Sequence, residues 1–210
     1  GIGTNVMDAA LNGAVRNVAV GYGSLGANTT ARDQVAIGYN AGTALTTGES
    51  NVCIGSGALD VATTALQNVS IGINSMGGVA AGQAVDGCVA IGHDALLGSG
   101  SSTTGANYTI AIGKSALGAL TTGAGNLAIG YGAMKEHVDG SRNIAIGYGA
   151  MDATQAGGTQ STSDSSVDNL FIGYDAGGGS WVDAGSNYNV AIGNYAMDAN
   201  LNAAVRNVAV

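Results

Sequence analysis

A short apolar phrase ending in Ile-Gly or Val-Gly recurs from one end of this 210-residue chain to the other. The polar residues that open it are Asn17, Gln34, Asn51, Asn68, Cys88, Thr109, Asn126, Asn143, Asn169, Asn189 and Asn207, spaced 17, 17, 17, 20, 21, 17, 17, 26, 20 and 18 residues apart. A unit of 17 residues is too short for a helix pair or a propeller blade and suits one coil of a β-solenoid. A longer period lies over it: residues 1–20 and 191–210 agree at 14 of 20 positions, so the chain spans one 190-residue super-repeat plus an overlap.

Within each phrase the first slot after the polar residue is Val18, Val35, Val52, Val69, Val89, Ile110, Leu127, Ile144, Leu170 or Val190. The third slot holds Val20, Ile37, Ile54, Ile71, Ile91, Ile112, Ile129, Ile146, Ile172 or Ile192, and the slot between is Ala apart from Cys53, Ser70 and Phe171. Mostly β-branched residues favour extended backbone, and alternation puts the two large side chains on one face and the small one on the other. An uninterrupted apolar triplet predicts a strand buried on both faces, which makes the large residues strand core.

Each of the ten complete phrases ends in glycine, at Gly21, Gly38, Gly55, Gly72, Gly92, Gly113, Gly130, Gly147, Gly173 and Gly193. A position closed to side chains reads as a corner with positive φ or a close backbone approach. A small-large pair such as Ala116-Leu117 or Ala133-Met134 follows, then a Thr-, Ala- and Gly-rich return. The fold expected is all-β, a parallel β-solenoid of about ten rungs of 17 to 26 residues in one continuous array over 1–210. Seven of the ten complete rungs open with Asn, which predicts a stacked amide ladder.

Composition narrows the alternatives. With 37 glycines, no proline, 46% hydrophobic and 10% charged residues, the chain is neither collagen nor disordered. A net charge of −8 leaves no basic stripe for nucleic acid or anionic lipid, and no apolar run is long enough to span a bilayer, so neither nucleic acid nor membrane contact is expected. The chain starts and stops within strand-like phrases, so the native protein is expected to continue at both ends. Two large apolar side chains per rung are few against the entropy of ordering a whole coil. Self-association is therefore expected.

Phrases such as QVAIGYNAG at Gln34, NLAIGYGAM at Asn126, NIAIGYGAM at Asn143 and NVAIGNYAM at Asn189 resemble the β-roll heads of trimeric autotransporter adhesins and the shaft repeats of phage and virus tail fibres. The resemblance covers essentially the whole chain. It implies a homotrimeric fibre on a cell or virion surface, outside the cell, acting as a rigid spacer that attaches to a host glycan or protein. Rival readings are a self-polymerising filament or functional amyloid, and a glycan- or ice-binding solenoid. The last rests on Thr29-Thr30, Thr46-Thr47, Thr63-Thr64, Thr103-Thr104 and Thr121-Thr122.

Chemistry-bearing residues are sparse. Cys53 in an Ala slot reads as a buried filler, and Cys88 as a residue that pairs between chains only if its slot faces a common axis. The two thiols lie two rungs apart, roughly 10 Å along the axis, beyond disulfide reach. Neither His93 nor His137 has a partner at metal-ligand spacing, and His93-Asp94 reads as solvated surface. Without a nucleophile elbow, a P-loop or a Ca-binding repeat, no active site, metal or cofactor is expected. Tyr22, Tyr39, Tyr131, Tyr148 and Tyr174 follow corner glycines and are expected to form an aromatic ladder, stiffening a corner or offering a platform to sugar rings. Tyr108, Trp181 and Tyr188, in the longer rungs, are further surface-binding candidates, with a cap on the rung edge the preferred reading of Trp181.

Overall fold

The computed structural model describes residues 1–79, 85–98, 103, 105–153, 165–179, 181, 185–199, 201 and 203–210. It is all-β, a parallel β-solenoid whose strands form one eleven-stranded sheet in sequence order. The strands are β1 (Val18–Val20), β2 (Val35–Ile37), β3 (Val52–Ile54), β4 (Val69–Ile71), β5 (Val89–Ile91), β6 (Ile110–Ile112), β7 (Leu127–Ile129), β8 (Ile144–Ile146), β9 (Leu170–Ile172), β10 (Val190–Ile192) and β11 (Val208–Ala209). Every neighbouring pair is parallel and in register, so Val18 lies beside Val35 and Val35 beside Val52. The insertions before β5, β6 and β9 do not shift this register. Their added residues lie largely outside the described residues.

Stacking copies of one sequence stacks identical slots, and each column obeys one physical rule. In β1 to β10 the middle residue is buried, while the first and third are half-buried or exposed. The sequence expectation is therefore reversed for the large residues. Val18, Val20, Val35, Ile37, Val52, Ile54, Val69, Ile71, Val89, Ile91, Ile110, Ile112, Leu127, Ile129, Ile144, Ile146, Leu170, Ile172, Val190 and Ile192 are strand residues on the outside of the coil. The inside is too narrow for them beside the other inward columns. It takes Ala19, Ala36, Ala111, Ala128 and Ala145 from the strands, packed on Leu25, Leu59, Leu96, Leu117, Met134 and Met151 from the turn.

Those turn residues carry an unexpected backbone. Leu25, Leu59, Met76, Leu96, Leu117, Met134, Met151 and Met197 have φ between +48° and +55°. A left-handed residue with a branched Cβ is strongly disfavoured, whereas Leu and Met branch later or not at all. The column accordingly holds Leu and Met while the strands hold Val and Ile, and Gly42 and Gly177 replace the large residue at φ +57° and +67°. Leu117→Ile, an isomeric change, is expected to destabilise by about 1–3 kcal/mol, against less than about 1.5 for Leu117→Met. Denaturant midpoints of the two variants check this.

The opening polar residues point inward and form the expected ladder. Asn68 Nδ2 donates to Asn51 Oδ1 at 3.0 Å, and the backbone N–H of Asn68 donates to the same oxygen at 3.0 Å. Asn143, Asn169, Asn189 and Asn207 repeat the pattern, each on the Asn of the rung before. Each amide from Gln34 to Asn189 also reaches a carbonyl on the return segment, as Asn51 does to Ala65 at 2.8 Å and Asn126 to Gly140 at 2.8 Å. A buried amide satisfied on both sides is stabilising, and an unsatisfied one would be costly.

The ladder breaks at Cys88 and Thr109. The backbone N–H of Cys88 still donates to Asn68 Oδ1 at 2.9 Å and its thiol to Ala106 O at 3.0 Å, but it offers no amide oxygen to the next rung. Thr109 is too short to reach, and its buried hydroxyl has no hydrogen-bond partner. Thr109→Asn is expected to stabilise the fold by about 1–2 kcal/mol by giving Asn126 an amide oxygen to donate to and so lengthening that half of the ladder by one rung, seen as a rise in unfolding midpoint.

Candidate functional site

The sheet's outer face is a long apolar surface that the chain offers a partner. Its twenty large residues stand in two columns along ten strands, which at roughly 4.8 Å per strand makes an apolar strip about 48 Å long. Exposure is about half at Val18 (51%), 40% at Ile37 and 40% at Ile192. A strand presents this face flat, with no charged residue inside the two columns.

All ten corner glycines beside the strip hold φ between +122° and +147°. Each of the first nine also stacks against the glycine of the next rung. A Cβ on Gly130, for example, would sit 2.6 Å from the carbonyl carbon of Gly147 and closer still to its oxygen. The corner therefore sets how closely rungs approach.

Just past the corner, tyrosines stack up the axis. Tyr22 and Tyr39 lie 5.5 Å apart, Tyr131 and Tyr148 4.8 Å, and Tyr148 and Tyr174 5.3 Å, with ring planes within 11° of parallel. Tyr195 adds an edge contact to Tyr174 at 5.3 Å. Sequence spacing pointed to this ladder but not to Tyr195, which sits one slot later than the others. A sugar ring stacks on an open aromatic face, and here the faces cover one another. The ladder shows solvent its ring edges and phenol oxygens.

The other surface candidates scatter. Tyr108 is exposed, its ring against Gly87, and Tyr188 is half-exposed beneath the Arg206 guanidinium, 5.6 Å from the ring centroid. Trp181 is no surface residue: it is buried, meets Phe171 edge-on at 5.5 Å, and its indole N–H donates to Gly177 O at 2.9 Å. The reason is volume. Phe171 occupies a slot that is Ala in most rungs, and the opposing left-handed slot is Gly177, which leaves room for two aromatic side chains.

Cys53 and Cys88 are free and buried, and burial raises their thiols to about 12 and about 11. Cys88 thus lies inside its own coil and does not face another chain. His93 Nδ1 lies 2.7 Å from Asp94 Oδ2 on the surface. His137 is fully buried in the column of Leu120, with Nε2 3.2 Å from Asn143 Nδ2. Among the described residues no three His, Cys, Asp or Glu are placed to hold a metal ion. The first threonines of four pairs bond within the fold: Thr29, Thr46, Thr103 and Thr121 donate their hydroxyls to Thr46 O, Thr63 O, Leu120 O and Val138 O. Thr104 of the fourth pair lies outside the described residues.

Burial lowers the His137 imidazole to about 4, so it stays neutral in the fold. Between the ordinary imidazole value near 6.5 and pH 4 the unfolded chain takes up a proton that the folded chain refuses, so stability falls as pH falls through that window, by about 3 kcal/mol in all. Asp152 opposes this. Burial, then the Asp175 and Glu136 carboxylates, raise it to about 6, so it contributes stability at low pH that is lost as pH rises through 6. His137→Leu, matching Leu120, should remove the acid loss and leave a stability that rises from pH 7 to 4. Unfolding midpoints across pH check the reversal.

A shallow groove of about 370 Å³ runs over Leu97, Gly118 and Ala119, edged by Asp94, Lys135 and Glu136. No helix among the described residues is long and apolar enough to cross a membrane. Compared with protein-family models, curated proteins and solved structures, the chain finds no match.

Proposed function

We propose that the chain is a segment of a homotrimeric fibre, a rigid spacer of a surface adhesin or tail fibre that carries repeated attachment surfaces on its outside. The observation that supports this best is the outward strip of twenty large aliphatic residues. A β-solenoid closed on its own core would keep these residues inside; here the inside is filled by Ala, Leu and Met, and a continuous apolar strip remains for other chains to cover. Strips from three parallel chains facing one axis would bury it along the whole length, and the register of each chain keeps the others aligned. The threefold symmetry and the extracellular setting rest on the resemblance of the AIGYGAM-type phrases to adhesin heads and tail-fibre shafts, and the rung length of 17 to 26 residues as the fibre's axial unit rests on the spacing of those phrases.

Mechanically the parallel ladder suits reach. Each rung bonds to the next through strand hydrogen bonds, and most also through the amide ladder and glycine contact, so bending loads many bonds at once. Attachment to a glycan or protein would come from identical outer surfaces repeated up the shaft, each weak and together avid. The reading assigns no catalysis. Low-resolution images of the assembled protein test it: a straight shaft with threefold symmetry supports it, and single chains, or sheets that grow without limit, overturn it.

A further inference from the structure

We propose that Tyr131, Tyr148 and Tyr174 form a site of oxidative cross-linking, at which a haem peroxidase using hydrogen peroxide joins neighbouring rungs through dityrosine. Three observations meet here. The rings stand in one column at 4.8 and 5.3 Å, so each phenol has a second phenol as its nearest aromatic neighbour. Each is accessible, at 49%, 53% and 44% exposure. The other readily oxidised groups around them are withdrawn, with Met134, Met151, Trp181 and both thiols buried.

The chemistry balances. The oxidant removes the phenolic hydrogen atom from each of two tyrosines, leaving two phenoxyl radicals whose spin is shared with the ortho carbons. Those carbons pair to form one C–C bond. Each then releases its hydrogen as a proton while its phenol oxygen regains one, restoring both rings. The net loss is two protons and two electrons, which reduce one hydrogen peroxide to two waters. Closing the gap needs rotation of two half-exposed side chains, which exposed residues make readily, and no movement of the parallel backbone. Parallel stacking thus gives the radical a partner in its own chain before it meets another. The product ties rungs that otherwise hold only through non-covalent bonds, and closing a loop across the ladder restricts the unfolded chain.

The test treats the intact assembly with a haem peroxidase and hydrogen peroxide, digests it with trypsin and maps the products by mass. Trypsin cuts after Lys135 and Arg142, so a Tyr131–Tyr148 bond appears as two joined peptides lighter by two hydrogens. The expected result is that product, with dityrosine fluorescence in a band of single-chain mobility on a denaturing gel. Tyr148→Phe keeps the stack and should abolish the joined peptides while leaving the Tyr22–Tyr39 product. Equal yields at Tyr108 or Tyr188, which are exposed but stack on no other tyrosine, would overturn the proposal. So would bonds found only between chains, or a yield unchanged by Tyr148→Phe.

Discussion

Gly130→Ala should unfold or nearly unfold its part of the solenoid, costing about 4 kcal/mol or more, while Gly132→Asn two residues later should change stability by less than about 0.5 kcal/mol. Both positions have positive φ, +135° and +65°. They differ in which region they occupy and in what surrounds them. Gly130 lies in a region that side chains scarcely enter, and an added Cβ would be driven into the carbonyl of Gly147. That carbonyl belongs to a rung fixed by its own neighbours, so the clash has nowhere to relax. Gly132 sits in ordinary left-handed space with nothing within 4 Å of an added Cβ. Its equivalents in other rungs are Asn40 and Asn74, both at φ +53°, and Asn tolerates that conformation better than most residues. Chemical denaturation of the two variants side by side checks both halves, and equal midpoints would refute the corner account.

Phe171→Ala is the second large effect, a loss of about 3–5 kcal/mol. Its ring fills a strand slot that is Ala elsewhere, and it packs edge-on against Trp181. Truncation leaves a cavity between Trp181 and Gly177 that rigid rungs above and below cannot collapse. Gly177→Met alone should also destabilise, because a Cβ there would lie 2.6 Å from Phe171 Cδ1. Together the two changes restore the Ala-and-Met pairing of the rung before, where Ala145 lies with Met151 at φ +55°. The double variant should therefore be more stable than the sum of the single losses by about 1–3 kcal/mol. A double-mutant cycle in denaturant measures this coupling. Simple additivity would show that the two slots do not share one volume.

Spacing carried most of the architecture in this chain. Copies of one phrase at near-constant intervals leave parallel stacking as the economical arrangement, and slots such as Asn51, Asn68 and Asn143 then align whatever the insertions between them. Facing was harder to read. Alternation separates Val52 and Ile54 from Cys53 but does not say which side encloses the core, and large apolar residues favour the wrong choice. The deciding signal lay outside the strand, in the Leu and Met column relieved only by glycines such as Gly42 and Gly177, which marks left-handed backbone pointing inward and already filling the coil. The surface reading of Trp181 fails for a related reason. The residue sits in an irregular rung without a repeat register, and only its pairing with Phe171 and Gly177 shows the space made for it. His137 was legible in principle, since Leu120 holds its slot one rung earlier. Nothing in spacing alone, however, reports that this slot is buried.

The proposed fibre requires the outward aliphatic strip to be a contact face between copies of this chain. Sedimentation equilibrium at low concentration tests it directly. A homotrimer sediments as a single species of three times the 20.3 kDa chain mass, reduced to one chain when Ile112, Ile129 and Ile146 are replaced by Asp. A chain that sediments as a monomer with its strip intact would contradict it.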